Sequence, residues 1–197
     1  MMNQLNSICV FCGSSDSVHA DYLLAARQMG AELAKNNIRL IYGGGKTGLM
    51  GAVAEGVIEK GGEAIGVIIP SMNTEALAQE GLTRMEVEPT MHARKAQMHE
   101  LADGFIALPG GFGTLDELFE TLTWKQIGEH SKPVGLLDVR GYYQPMLRMI
   151  EHFDKEGFIF SEHLKGILHD ADSTALLEAM GNHSHSEESV KRWMRQE

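Results

Sequence analysis

Leu108-Pro109-Gly110-Gly111-Phe112-Gly113-Thr114-Leu115-Asp116-Glu117 is the run with the clearest chemical content. It follows an apolar stretch at 104–108 and leads into an apolar-periodic segment. Its three glycines let the main chain turn tightly and approach a ligand without Cβ obstruction. Free N–H groups at a helix start, aided by the helix dipole, suit an anion such as a phosphate. Glu117 adds a carboxylate three residues past Thr114. Thr114 to Glu117 also matches a capping box, with Thr114 as N-cap and Glu117 reaching back to it. At about 100° per residue, Leu115, Leu118, Phe119 and Leu122 form one stripe, while Glu117, Thr121 and Trp124 lie roughly opposite. A helix apolar on two faces is buried or lies at an interface, so Glu117 is expected to point away from bulk water. Capping and catalysis account for Glu117 equally well.

Arg94 is the second chemical signal. By the same rule of about 100° per residue, it falls within the arc formed by Met91, Met98, Leu101 and Ala102. An always-charged guanidinium on a buried face needs an anionic partner. That partner is a structural carboxylate, a catalytic one or a substrate phosphate. Gly13-Ser14-Ser15 and Gly43-Gly44-Gly45-Lys46-Thr47-Gly48 are two further turns at expected strand ends. Gly13, Ser14, Gly43, Gly44 and Gly45 are therefore candidate binding residues. The second turn matches G-x-G-x-x-G, but it does not follow the first strand, and Glu63 is only a loose match for the required acid. A P-loop would need a glycine where Leu40 stands. Cys9 and Cys12 form C-x-x-C at the end of a strand, where extended residues three apart lie about 10 Å from each other. That is too far to bridge, so both read as core thiols. The nine histidines show no metal-ligand spacing.

The elements that must position these residues alternate along the chain. Strands are expected at 7–11, 39–42, 64–69, 104–108 and 134–137, with a weaker one at 167–169. Helical patterns cover 20–36, 49–60, 90–102, 115–128, 142–155 and 174–180. Apolar strands alternating with helices imply a parallel sheet covered on both faces. The expectation is an α/β, Rossmann-like, doubly wound domain over residues 1–181, with a polar tail at 182–197. In such a sheet ligands bind outside the carboxyl ends of the strands, where all three glycine-rich turns fall. The stretch 70–89 reads as a long irregular connection that could cover a site.

Composition narrows the function class. The 197 residues, 43% hydrophobic and 22% charged, suit a soluble globular protein. A net charge of −10 argues against nucleic-acid binding. No apolar run reaches the length of a membrane span, and the first residues lack the pattern of a signal peptide. Two cysteines make no disulfide framework. A cytoplasmic protein is expected, without membrane or nucleic-acid partners.

These residues together resemble the LOG ("lonely guy") family of cytokinin riboside 5′-monophosphate phosphoribohydrolases, formerly labelled possible lysine decarboxylases. The resemblance runs from Ile8 to about Phe158. It is carried by Cys9-Val10-Phe11-Cys12-Gly13-Ser14-Ser15, Tyr42-Gly43-Gly44-Gly45, Gly48-Leu49-Met50-Gly51 and Met91-His92-Ala93-Arg94-Lys95. The intact Pro-Gly-Gly-x-Gly-Thr-x-x-Glu signature at 109–117, Thr123-Trp124, the run 132–137 and Gly141-Tyr142-Tyr143 continue it. Lys46 and Thr47 depart from the family pattern, where many members carry Ser and a small apolar residue. The resemblance implies hydrolysis of the N-glycosidic bond of a nucleoside 5′-monophosphate, releasing free base and ribose 5-phosphate. It makes Arg94 and Glu117 the catalytic pair. Gly111, Gly113 and Thr114 would hold the phosphate, in one run with Gly110 and Phe112, and Lys95, Thr123 and Glu75 would line the site.

In that scheme Arg94 keeps Glu117 ionised and holds a substrate oxygen, while Glu117 stabilises positive charge developing on the sugar. No metal or organic cofactor is required. One rival is a non-catalytic nucleotide carrier using the same pocket. Another is a decarboxylase, which would need pyridoxal phosphate on a lysine, yet neither Lys46 nor Lys95 has a context that marks it for that. The two-faced helix carrying Trp124, with the resemblance, favours a homodimer.

Overall fold

The structure is a computed structural model and describes residues 5–183. The terminal stretches, including most of the expected polar tail, lie outside the described residues. Seven strands form one sheet: β1 (Ser7–Phe11), β2 (Arg39–Tyr42), β3 (Ala64–Ile68), β4 (Arg84–Val87), β5 (Gly104–Ala107), β6 (Val134–Leu137) and β7 (Ile167–Asp170). Their order is β4-β3-β2-β1-β5-β6-β7, and every neighbouring pair is parallel.

Sequence alternation sorts side chains to the two faces. Ile8 and Val10 of β1 join Leu40, Tyr42 and Ile106 in one core, which α1 (Ala20–Lys35), α2 (Gly48–Glu59) and α7 (Ser173–Gly181) cover. Cys9 and Phe11 join Ile41, Phe105 and Leu136 in the other core. That face carries α3 (Met91–Leu101), α4 (Phe112–Ile127), α5 (Gln144–Lys155) and α6 (Ser161–Lys165). Helices on both faces of a parallel sheet make this the doubly wound α/β fold expected from the sequence. Strand order reverses direction between β1 and β5. The glycine turn after β1 and the one after β5 thus flank the switch point, where such sheets bind ligands.

Three local expectations need correction. The connection at 70–89 is not wholly irregular, because β4 pairs with β3 from Arg84 to Val87. Its Arg-Met-Glu-Val sequence lacks an apolar run because it is a half-exposed edge strand. The short helix α6 also escaped the periodicity, at five residues. Finally, α4 starts at Phe112, with Gly111 as N-cap and no side-chain cap bond, so Thr114 and Glu117 do not form a capping box. Thr114 instead sits in the first turn and is buried beneath Gly110.

Candidate active site

The cradle is built by pinning carbonyls. Gly13 N–H donates to the Pro109 carbonyl at 3.1 Å. Side-chain hydroxyls of Tyr142 and Tyr143 donate to the Gly110 and Leu108 carbonyls, both at 2.6 Å. A Cβ on Gly110 would collide with Thr114 Oγ1 and the Gly13 nitrogen, so only glycine fits there. By contrast, Gly111 and Gly113 face open space. The first turn bond of α4 runs from Leu115 N–H to the Gly111 carbonyl at 3.1 Å. The N–H groups ahead of it are the orphan donors of a helix start. Phe112 stands 95% exposed at this rim.

The glycine turns after β1 and β2 are tied to the cradle and to each other. Leu49 N–H donates to the Gly13 carbonyl, and Gly48 N–H to Asp16 Oδ1 at 2.7 Å. Gly48 has φ +58° and packs on the exposed Ser14, an approach that no side chain could make. Gly44 and Gly45 are buried, and Gly45 bridges to Ala78 of the segment after β3.

Arg94 and Glu117 meet beside these turns. The guanidinium is bonded through Nε to the Val67 carbonyl at 2.8 Å and through Nη1 to Glu117 Oε1 at 3.1 Å. The two side chains are 10% and 14% exposed. Thr90 caps α3 by accepting from Ala93 N–H, which fixes the helix that carries Arg94. Burial pushes the Glu117 carboxyl above its usual pKa, and Arg94 opposes that shift without cancelling it. Arg94 therefore limits the cost of burying Glu117 but does not restore an ordinary acidity.

Lys95 follows Arg94 and bonds Asp116 and Glu120 at 3.0 and 3.1 Å. Burial works against its charge, but the two carboxylates outweigh burial and raise its pKa. A lysine held protonated in this way is a poor Schiff-base former. Lys46, on the exposed rim, donates its ammonium to the Glu75 carbonyl.

The structure does not gather every expected site residue. The Glu75 side chain is exposed, and it is the Glu75 main-chain carbonyl, not its carboxylate, that takes the Lys46 ammonium. Thr123 lies two turns along α4 on another face, its hydroxyl donating to the Phe119 carbonyl. There it lines a separate cavity of about 350 Å³, with Phe119, Leu122, Ile150, Phe153 and Ile159 among its walls. Cys9 is buried and Cys12 partly so, both are free thiols, and burial raises both pKa values.

The sequence also concealed several neighbours of the site. Phe11, Met98, His99 and Glu120 surround Glu117 and Lys95. Thr121 Oγ1 donates to the Glu117 carbonyl at 2.8 Å and contacts His99 Nε2 at 3.0 Å. Burial first, then the charges of His130 and Lys132, push the His99 pKa down to about 4, so its ring is neutral near pH 7. Thr121's place opposite the apolar stripe was the available signal. His99 offered none beyond its helix.

Comparison with known proteins places the chain in a family. A family model described as possible lysine decarboxylase matches residues 50–180. The chain is 43% identical over 188 residues to cytokinin riboside 5′-monophosphate phosphoribohydrolase LOG4 of Arabidopsis thaliana, covering 95% of this chain and 87% of the relative. It is 41% identical over 197 residues to the probable cytokinin riboside 5′-monophosphate phosphoribohydrolase LOGL2 of Oryza sativa subsp. japonica, covering 100% and 81%. Among solved structures, the molybdenum cofactor binding protein of Rippkaea orientalis shares the fold, with a TM-score of 0.67 at 24% identity over 89% of this chain and 95% of that one. On its identity to these relatives and the match of the family model over most of its length, the chain belongs to the LOG family, the group described as possible lysine decarboxylases.

Proposed function

We propose that this protein hydrolyses the N-glycosidic bond of an adenine-type or cytokinin-type nucleoside 5′-monophosphate, yielding the free base and ribose 5-phosphate. The observation that carries the site assignment is the buried Arg94–Glu117 pair placed beside a glycine cradle at the sheet's switch point. The 5′-phosphate sits on Gly110, Gly111, Phe112, Gly113 and Thr114 at the start of α4. Gly13, Ser14, Gly43, Gly44 and Gly45 form the adjoining wall. Lys95 braces α4 through Asp116 and Glu120, and Glu75 and Lys46 border the entrance.

In the reaction, the C1′–N bond breaks as water adds to C1′. The departing base nitrogen keeps the bonding electrons and ends protonated, and the sugar keeps the hydroxyl. Positive charge grows on the sugar ring as the bond stretches. Ionised Glu117 stabilises that charge from a poorly solvated position, where an electrostatic interaction is stronger than in water. Arg94 holds Glu117 in place and presents its remaining N–H donors to a substrate oxygen. Anchoring the phosphate supplies binding energy that orients the sugar for attack. Replacing Glu117 by Gln keeps the shape and removes the charge. Turnover should fall by about 100-fold or more while nucleotide binding persists. Wild-type turnover by Glu117→Gln would reduce Glu117 to a structural role.

The protein acts as a homodimer in this account. The apolar cavity beside α4, α5 and α6 suits a second copy of the chain, and Thr123 on its wall would then face the partner. Light scattering should give twice the chain mass, and a monomer at micromolar concentration would refute the pairing. Residues 1–181 act as one catalytic domain. Two free thiols suit the reducing cytoplasm, and no helix among the described residues is long and apolar enough to cross a membrane.

A further inference from the structure

We infer that Tyr142 is a positioning residue for the 5′-phosphate: its hydroxyl sets the direction of the cradle's N–H donors without touching the substrate. This rests on the placement of the phosphate proposed above. In a trans peptide the carbonyl and the following N–H point in opposite directions. A bond that fixes one carbonyl therefore aims the next N–H. Tyr142 Oη donates to the Gly110 carbonyl at 2.6 Å, so it aims the Gly111 N–H away from the tyrosine. Gly13 N–H does the same to the Pro109 carbonyl at 3.1 Å and thereby aims the Gly110 N–H.

Glycine makes this control necessary. Gly111 has φ −95° and ψ −149° as the N-cap, and a Cβ there would touch nothing. No side-chain cap bond holds that peptide plane, and packing reaches only its Gly110 end, against Thr114. Without Tyr142 the Gly110 carbonyl loses the bond that fixes it, and the Gly111 N–H loses its set direction. The neighbouring Tyr143 differs in role. It is 1% exposed, and its hydroxyl holds the Leu108 carbonyl, which precedes a proline that has no N–H to aim. Tyr143 is thus a core brace, whereas Tyr142, 40% exposed, spends its hydroxyl on the cradle. The Tyr142 ring is held edge-on by Tyr22 at 5.8 Å and by Tyr143 at 5.2 Å, so it can keep its place after losing the hydroxyl.

The test is Tyr142→Phe, with calorimetric binding of ribose 5-phosphate and steady-state kinetics on adenosine 5′-monophosphate. The melting temperature should fall by no more than about 2–4 °C, the cost of one lost hydrogen bond. The Kd for ribose 5-phosphate and the KM for the nucleotide should both rise by about fivefold, the worth of one hydrogen bond. Any fall in kcat should be smaller than the rise in KM, because only the phosphate anchor that orients the sugar is loosened and the reacting centre itself is untouched. Adenosine binding should not change. Unchanged ribose 5-phosphate affinity would overturn the inference, as would an equal loss for adenosine or a fall in kcat at constant KM. A melting temperature lowered by well over about 4 °C would also overturn it, since Tyr142 would then be a structural brace like Tyr143. Because ribose 5-phosphate binding requires no turnover, it separates this inference from the hydrolase assignment. Wild-type protein that binds ribose 5-phosphate but cleaves no nucleotide would refute the assignment alone.

Discussion

Gly43→Ala should disable the site while leaving the fold standing. Gly43 does not occupy the left-handed region, so an alanine there strains no backbone. Its Cβ would lie 2.4 Å from Arg94 Nη2 and 3.2 Å from Met50 Sδ. Ordinary contact between such atoms needs roughly 3.5 Å, so the guanidinium must retreat by about 1 Å. A surface arginine would swing aside at little cost. Arg94 is held at Nε by the Val67 carbonyl and at Nη1 by Glu117, and retreat weakens both bonds. Two weakened hydrogen bonds cost about 1 kcal/mol each, and the alanine's smaller unfolded-state entropy offsets about half of one. Stability should therefore drop by roughly 1–2 kcal/mol, too little to unfold a domain of this size. A misplacement of about 1 Å at a reacting centre costs about 100-fold in rate. The assay is kcat on a nucleoside 5′-monophosphate alongside a thermal melt. Wild-type kcat in a folded Gly43→Ala protein would refute the claim that Arg94 must sit where it does.

Gly113→Ala should trade function for stability. Its Cβ meets nothing within 4 Å, and alanine in a helix gains about 0.5–1 kcal/mol over glycine. The melting temperature should rise, while the new methyl group intrudes on the phosphate and raises nucleotide KM by about tenfold. An unchanged KM would move the phosphate elsewhere. Burial raises the Glu117 pKa, so kcat/KM should fall as pH drops through a midpoint above the ordinary glutamate value. A profile flat down to pH 4.5 would contradict an ionised Glu117 as the working form. His99 binds its proton less readily in the native state than when unfolded, with a pKa near 4 against 6.5. The unfolded state then holds more protons in that window, and stability falls as pH falls from 6.5 towards 4. About 2 kcal/mol should be lost after allowance for partial solvation. Thermal melts across this range should show a shallower slope for His99→Gln, and an unaltered slope would assign the effect to other groups.

The central strands were legible because burial on both faces leaves unbroken apolar runs, as in Ser7–Phe11 and Ala64–Ile68, where every residue is buried. The edge strand Arg84–Val87 was not, since half-exposed residues carry no such run. Arg94 stood out because a charge lay inside an apolar arc, but its bond to the Val67 carbonyl was invisible: a main-chain acceptor has no residue type. The Thr-x-x-Glu pattern misled because caps compete locally. Gly111 takes the N-cap position and moves the helix start three residues ahead of Leu115, which buries Thr114 in the first turn. Gly141-Tyr142-Tyr143 marked the family resemblance without revealing a role. Whether a tyrosine hydroxyl finds a carbonyl 32 residues away depends on the sheet bringing both ends together.

The most direct test of the central claim is a product assay on adenosine 5′-monophosphate and its N6-isopentenyl form side by side, with adenosine as the unphosphorylated control. Free base and ribose 5-phosphate should appear in equal amounts from at least one nucleotide, with negligible release from adenosine. Tight nucleotide binding without base release would make the protein a carrier. Cleavage of adenosine as fast as the nucleotide would contradict a reaction anchored by the phosphate at Gly111–Thr114.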